Sequence, residues 1–334
     1  MKIQYSAKQA LDISRKNAAR AWNGTQDSAA VRLARTEFLR LQHKPKFLLS
    51  PTAPVFTIGS CFARNVENTL LSHNLPLLLK SHGVPAEEYQ TWDEATGRGG
   101  GVGRGQLSRG ALNKYSVHSM SHELKRVLGD QHYPNEGLIE LSADLWFDPH
   151  ASMLRNGPFE ATLANRKRIE AAMREIRNAR VMFMTLGLTE TWIDTASDLA
   201  MNTHPGPNWL MRMSDRFHFI DYGFDGIMSE MVEMIELIRE KCHADMRFIV
   251  TVSPVPLAST FKDADVIVAN SGSKATLRAV AEELYRRYDY VDYFPSYEIV
   301  TNTPRPLAWQ DDQLHVSPAM VKEITETFVG LYYT

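Results

Sequence analysis

Val55-Phe56-Thr57-Ile58-Gly59-Ser60-Cys61-Phe62-Ala63 is the stretch on which the reading of this chain turns. Its first four residues are apolar or β-branched and carry no charge. Such a continuous run fits a strand covered on both faces, as parallel strands are in an α/β core. Gly59-Ser60 breaks the run, and residues 64–73 then read as a helix. The succession of strand, turn and helix puts Ser60 at the carboxyl end of a strand, where open α/β sheets hold their ligands.

The alternation continues along the chain. Further strand-like runs are Leu75-Pro76-Leu77-Leu78-Leu79, Val181-Met182-Phe183-Met184-Thr185-Leu186, Arg247-Phe248-Ile249-Val250-Thr251-Val252 and Tyr290-Val291-Asp292-Tyr293-Phe294. Pro76 demotes the first of these to an edge position or moves its start to Leu77. Helices are expected over residues 165–178, 226–242, 271–287 and 318–332. Strands and helices in alternation point to a doubly wound α/β sheet. Residues 7–43, rich in Ala, Arg, Leu and Gln, read as a helical extension, with Asn23-Gly24 as an interruption and Pro45 after it. It is expected to pack as a lead-in on the main domain, with a docking arm as the alternative. The division is therefore 1–50 for the extension and 51–334 for the domain.

Composition narrows the function. The 334 residues are 44% hydrophobic and 23% charged, enough apolar material for one large core. Lys plus Arg number 37 against 39 Asp plus Glu, a net charge of −2. That balance gives no support for a nucleic-acid partner, which asks for a clustered basic excess. Two cysteines, Cys61 and Cys242, supply neither a disulfide framework nor a cysteine zinc site. Histidines such as His118, His122, His204 and His218 show no metal-binding spacing, so no metal and no cofactor is expected. The N-terminal residues lack an apolar signal core and no stretch is long enough for a bilayer. The expectation is a cytoplasmic protein without stable membrane insertion.

Two segments break the alternation, roughly 81–159 and 194–223, and insertions of this size usually wall the substrate side of a sheet enzyme. The first contains Gly97-Arg98-Gly99-Gly100-Gly101-Val102-Gly103-Arg104-Gly105. No strand leads into it and no Gly-Lys-Ser/Thr ends it, so it is neither a dinucleotide fingerprint nor a P-loop. A surface loop is the plain reading. The sharper alternative is a lid whose Arg98, Arg104 and Arg109 hold a phosphate or carboxylate. Ser271-Gly272-Ser273-Lys274 also falls short of a P-loop and is read as a helix start.

Ser60 alone would pass for a helix N-cap. A distant segment changes that: Trp309-Gln310-Asp311-Asp312-Gln313-Leu314-His315-Val316-Ser317-Pro318, just ahead of the last helix. Asp312, three residues before His315, can hold Nδ1–H of the imidazole while Nε2 faces a serine hydroxyl. Asp311 is the rival carboxylate. A serine after the first strand with Asp-x-x-His before the last helix is the pattern of a nucleophile, a general base and its orienting acid.

The motif Gly59-Ser60-Cys61-Phe62-Ala63 resembles that of the GSCFA family, a branch similar to the SGNH (GDSL-type) hydrolases. The likeness continues through Asn113-Lys114-Tyr115, Trp146-Phe147-Asp148-Pro149, Gly187-Leu188-Thr189-Glu190, Ser253-Pro254-Val255, Tyr293-Phe294-Pro295-Ser296 and Asp312-Gln313-Leu314-His315. It implies a three-layer α/β/α sandwich with a parallel flavodoxin-like sheet and a Ser60, His315, Asp312 triad. The implied reaction is removal or transfer of an O-acyl group, acetyl for preference, on a carbohydrate or related ester. Trp192 and Trp209 are candidate sugar-facing aromatics. Where the wider SGNH pattern has Gly-x-Asn-Asp, this chain has Gly187-Leu188-Thr189-Glu190, so the oxyanion donors must be sought elsewhere. The Thr189 hydroxyl, the Ser60 N–H and Asn113 are candidates, with Gly59 allowing close approach. Glu190 would repel an oxyanion unless neutral or paired with a cation such as an arginine; binding a substrate hydroxyl or orienting a catalytic group is its other reading. Cys61 is read as a small buried hydrophobe beside the nucleophile. Two alternatives stand: a binding module that keeps the fold without the chemistry, and a transferase whose Gly/Arg loop holds a phosphorylated donor.

Overall fold

The structure, a computed structural model, describes residues 4–79, 83–90 and 110–333. A capping box, Ser6 with Gln9, starts α1 (Ala7–Lys16), and α2 (Ala29–Leu33) follows; neither helix buries a residue. Then come β1 (Val55–Gly59) and α3 (Cys61–Ser72), and, after the first insertion begins, α4 (Val117–Leu128) and the hairpin β2 (Ile139–Ser142) and β3 (Leu145–Phe147). The chain continues through α5 (Phe159–Met173), β4 (Val181–Leu186), β5 (Glu190–Asp194), β6 (Leu199–Met201), α6 (Pro207–Arg212), β7 (Phe217–Asp221) and α7 (Phe224–Lys241). It ends with β8 (Arg247–Val252), α8 (Val266–Arg287), β9 (Val291–Tyr293), α9 (Ser296–Asn302), α10 (Arg305–Ala308) and α11 (Pro318–Tyr332).

The protein is an α/β structure built on four parallel strands in the order β1-β4-β8-β9. Their side chains alternate between two cores, as a period of two demands. Phe56, Ile58, Met182, Met184, Leu186, Phe248, Val250 and Val252 face a core shared with α4, α5, α7 and α8. Val55, Val181, Phe183 and Ile249 face the other, which α3, α9 and α11 close. Helices on both faces make an arrangement that fits a three-layer sandwich. The Leu75 to Leu79 run is not a full strand: a single parallel bridge, Val55 with Leu77, puts it on the free edge of β1. Pro76 lacks the N–H that a longer ladder would need there.

Other boundaries differ from expectation for physical reasons. Residues 34–54 are not helical. Leu39 N–H donates to the Thr303 hydroxyl (3.0 Å), Lys46 N–H to Asp292 (2.9 Å) and Leu49 N–H to the Tyr332 carbonyl (2.8 Å), so this part of the extension packs as extended chain. Short helices are marginal by themselves, and here the domain offers the backbone better partners. The second insertion starts at Glu190, not near Asp194, because β5 follows β4 after three residues and pairs antiparallel with β6 and β7. α8 begins at Val266, capped by Asp265, whose carboxylate accepts from Ile267 N–H at 2.8 Å. Ser271-Gly272-Ser273 therefore lies inside a helix, where tertiary contacts override weak propensity.

The described part of the first insertion is held by buried charge. Glu123 on α4 accepts from Lys114 (2.6 Å), Arg166 (2.8 Å) and the Tyr133 hydroxyl (3.2 Å). Burial pushes the Glu123 carboxyl up, but Arg166 and Lys114 outweigh it and hold it at about 2. Lys114 is thereby pinned, and with it the backbone of Asn113 and Tyr115. The Gly/Arg run with Arg98, Arg104 and Arg109 lies outside the described residues.

Two glycines should respond oppositely to a methyl group. Gly272 is exposed in mid-helix with nothing near its missing Cβ, so Gly272→Ala should raise the unfolding free energy by about 0.5–1 kcal/mol. Gly59 has φ +141°, and a Cβ there would fall 2.5 Å from the Thr185 carbonyl oxygen. Gly59→Ala should cost about 3 kcal/mol or more. Urea unfolding midpoints at a common slope measure both.

Candidate functional site

Counting the Leu75–Leu79 run as second, the strand order is 2-1-3-4-5, and its direction reverses between β1 and β4. Crevices open at such a reversal, outside the carboxyl ends of the strands. Three backbone segments converge there. Asn113 bridges Gly59 in parallel, and Lys114 N–H donates to the Gly59 carbonyl at 2.8 Å. Leu188 N–H donates to the Tyr115 carbonyl at 2.9 Å, and a Cβ on Gly187 would fall against that same oxygen. Glycine is required at both strand ends because backbone occupies the space of a side chain.

Ser60 stands at the N-cap position of α3, yet its side chain caps nothing. It is only 4% exposed, and its hydroxyl donates to Ser253 Oγ, at the end of β8, at 3.2 Å. The cap reading of Ser60 therefore does not account for its hydroxyl. Beside it, burial raises the Cys61 thiol above the ordinary range, against the opposing pull of Lys274, the first N–H groups of α3 and Arg64. A thiol kept protonated is a poor nucleophile.

Asp312 and His315 form a tightly braced turn. One Asp312 oxygen accepts the N–H groups of Leu314 and His315, each at 2.9 Å, and the other meets His315 Nδ1 at 2.6 Å. Asp311 makes no bond to the ring among the described residues. Burial is the largest single influence and disfavours the Asp312 charge, but the bonds from His315 and Leu314 together outweigh it and draw its carboxyl down to about 2. The turn sits at the same end of the domain as Ser60. α3 and α11 lie side by side in register, Thr69 bonded to Thr325 (2.7 Å) and His73 to Glu326 (2.8 Å), so their N-terminal ends are level. No hydrogen bond joins Ser60 to His315 among the described residues; the Ser60 hydroxyl rests on Ser253 instead.

The remaining candidates divide. Asn113 is at the site by its backbone; its side-chain amide donates to the Tyr115 hydroxyl at 3.4 Å and its Oδ1 is buried without a partner. The Thr189 hydroxyl is not an oxyanion donor as placed, because it donates to Asp221 at 2.7 Å. Among the described residues no arginine pairs with Glu190; its carboxylate accepts from the Thr260 hydroxyl (2.6 Å) and Phe261 N–H (3.2 Å), tying down the loop after β8. Trp192 is half-buried in a group of rings with His204, Phe219 and Phe261, and Trp209 is half-buried below β5 to β7. Among the described residues no group of three or more His, Cys, Asp or Glu is placed to hold a metal ion, and no helix is long and apolar enough to cross a membrane.

A model of the GSCFA family matches residues 54–328. The chain belongs to the GSCFA family. No curated protein matches it. The matched span holds every residue placed at the site above, while the extension that lacks a buried helix precedes it.

Sequence reasoning missed two residues of this GSCFA site. Ser253 carries the bond to Ser60 and had no assigned role. Lys274 donates from within α8 to the Gly187 carbonyl at 2.7 Å, and its neighbour Ser273 accepts from Thr189 N–H at 3.1 Å. Their signal was an odd polar pair at helical positions that turn out to be buried.

The His315 turn has a testable pH signature. Because the folded carboxyl of Asp312 is depressed from an ordinary value of 3.8 to about 2, its stabilising contribution is present above pH 4 and is lost as pH falls toward 2. Carboxyl ¹³C titration of the folded protein should show one aspartate with a midpoint near 2, and His315→Ala should return it toward the ordinary range.

Proposed function

We propose that this GSCFA protein is a serine-dependent acyl-transfer enzyme of SGNH type, an esterase or O-acyltransferase working on O-acyl groups of a carbohydrate or related substrate. The observation that carries the reading is an uncapped Ser60 hydroxyl at the carboxyl end of β1, level with an imidazole braced by Asp312. The 2-1-3-4-5 strand order, which is flavodoxin-like, supports the same frame.

In this reading the Ser60 hydroxyl turns from Ser253 toward His315 and attacks the acyl carbonyl. Its proton passes to Nε2, while Asp312 holds Nδ1–H and steadies the imidazolium. The oxyanion forms at the N-terminal end of α3, where backbone N–H groups and the helix dipole favour negative charge. His315 then returns the proton to the leaving alkoxide. The acyl-Ser60 ester is released to water in an esterase or to a second hydroxyl in a transferase. A carbohydrate acceptor rests on the family likeness and on the half-buried rings near β5.

A second reading, a binding module on the same fold, is favoured by the Ser60 to Ser253 bond and the absence of one to His315. A fluorophosphonate probe and an aryl acetate separate the two. The enzyme reading expects labelling on Ser60, and a loss of turnover of about a thousandfold or more in Ser60→Ala and in His315→Ala. Unlabelled, inert wild-type protein would leave the binding module. A sugar acceptor that speeds deacylation and becomes acylated would mark a transferase.

A further inference from the structure

Charge is not spread evenly along this chain. Residues 1–50 hold ten Lys and Arg against three Asp and Glu, a net +7 in a chain of net −2, so the rest carries −9. Such an asymmetry marks a segment that meets something the rest of the molecule does not. It lies outside the family-matched span of 54–328 and contains α1. Further on, Arg35 and Arg40 pair with Glu37 and Glu323, but the side chains of Lys8, Arg15 and Lys16 make no ion pair or hydrogen bond among the described residues.

The helix that carries them has two clean halves. At about 100° per residue, Ile13, Ala10, Ser14, Ala7 and Leu11 follow one another round one half, and Arg15, Lys8, Asp12, Lys16 and Gln9 round the other. A helix of this length is marginal by itself in water and ordinarily gains its stability by burying its apolar side. α1 buries none of its residues. Leu11, Ile13, Tyr5 just before the helix and Trp22 just after it are each more than half exposed. Trp22 is nonetheless held in place, its carbonyl accepting from Ala30 N–H of α2 at 2.9 Å.

The two halves together select the occupant. A protein groove takes large anchors at i, i+3, i+4 and i+7. That row here is Ala7, Ala10, Leu11 and Ser14, with one large side chain in four. Nucleic acid would use the cations and leave Leu11, Ile13, Tyr5 and Trp22 in water. A bilayer surface uses both: anionic headgroups attract Lys and Arg, shallow apolar side chains enter the boundary, and Trp and Tyr settle at headgroup level. We infer that the N-terminal extension is a peripheral docking surface for anionic lipid, with α1 lying in the plane of the headgroups. The −9 of the remaining residues is repelled by such a surface, which confines the contact to the extension. No helix of the described residues is long and apolar enough to cross a membrane, and docking of this kind needs none. The inference is independent of the acyl-transfer reading.

Sedimentation of the full chain with lipid vesicles tests this. Wild type should be carried down by vesicles of phosphatidylcholine with about a third phosphatidylserine and not by phosphatidylcholine alone, and about half-molar salt should release it. Each Lys or Arg at such a surface is worth about fivefold in partition, so Lys8→Gln, Arg15→Gln and Lys16→Gln together should lower binding by about a hundredfold. Leu11→Gln with Ile13→Gln leaves the charge alone and should still lower it by about tenfold. None of these side chains is buried, so urea midpoints should stay at the wild-type value and show that the variants fold. No sedimentation with the anionic vesicles would overturn the inference, as would binding that the Leu11→Gln, Ile13→Gln variant retains in full. Self-association of wild type in analytical ultracentrifugation, lost in that same variant, would give the face to a second copy of the chain and overturn it too. Retention on duplex DNA as tight as on the vesicles would have the same consequence.

Discussion

Everything at this site depends on backbone lying where side chains would normally be. The end of β1 touches Thr185 of β4 so closely that only glycine fits at position 59, and the end of β4 touches Tyr115 so closely that only glycine fits at 187. These two approaches draw three distant segments into one corner of the sheet. Ser60 then leaves β1 with its direction set by a backbone conformation, φ +141° at Gly59, that other residues rarely adopt. A side chain held in this way takes its place from the backbone, without capping the helix it begins.

Two kinds of buried charge support that corner. Around Glu123, cation and carboxylate balance, and the result is rigidity for the segment that carries Asn113. At Lys274 the balance is missing, and the lysine is held by one carbonyl. A buried ion pair is often near neutral for stability, whereas an uncompensated ion is strongly unfavourable. The cost at Lys274 falls on its charged form, and burial answers by lowering its pKa to about 7, whereas Lys114 is held by Glu123.

The sequence made the central strands legible because Val181 to Leu186 and Arg247 to Val252 are long apolar runs with no competing pattern. α11 was legible from end to end because Pro318 opens it and its apolar stripe is strong. The edge place of the Leu75 to Leu79 run was legible from Pro76, but not that its pairing shrinks to the one bridge at Leu77. The start of α8 was misplaced because Asp265 caps it seven residues before the Gly272-Ser273 pair that looks like a beginning. At the site, Asp312 and His315 could be joined by local spacing. The partner of Ser60 lies 193 residues away, and no local spacing encodes it. Thr189 failed for the same reason: its hydroxyl answers to Asp221 on a strand of the second insertion.

The bond from Ser60 to Ser253 counts against a triad only as far as its size allows. A neutral hydroxyl pair contributes about 1 kcal/mol net, so turning Ser60 away from it costs about fivefold in population. Loss of a triad member costs about a thousandfold or more. Under the acyl-transfer proposal the resting bond is therefore a small barrier beside what a triad would contribute, and it orders a hydroxyl that is only 4% exposed. What such a bond could not offset is a large separation, and the side-by-side run of α3 and α11 puts Ser60 and the Asp312–His315 turn at the same end of the domain. The register of those two helices, set by Thr69 with Thr325, is for this reason as much a part of the site as the side chains that would react.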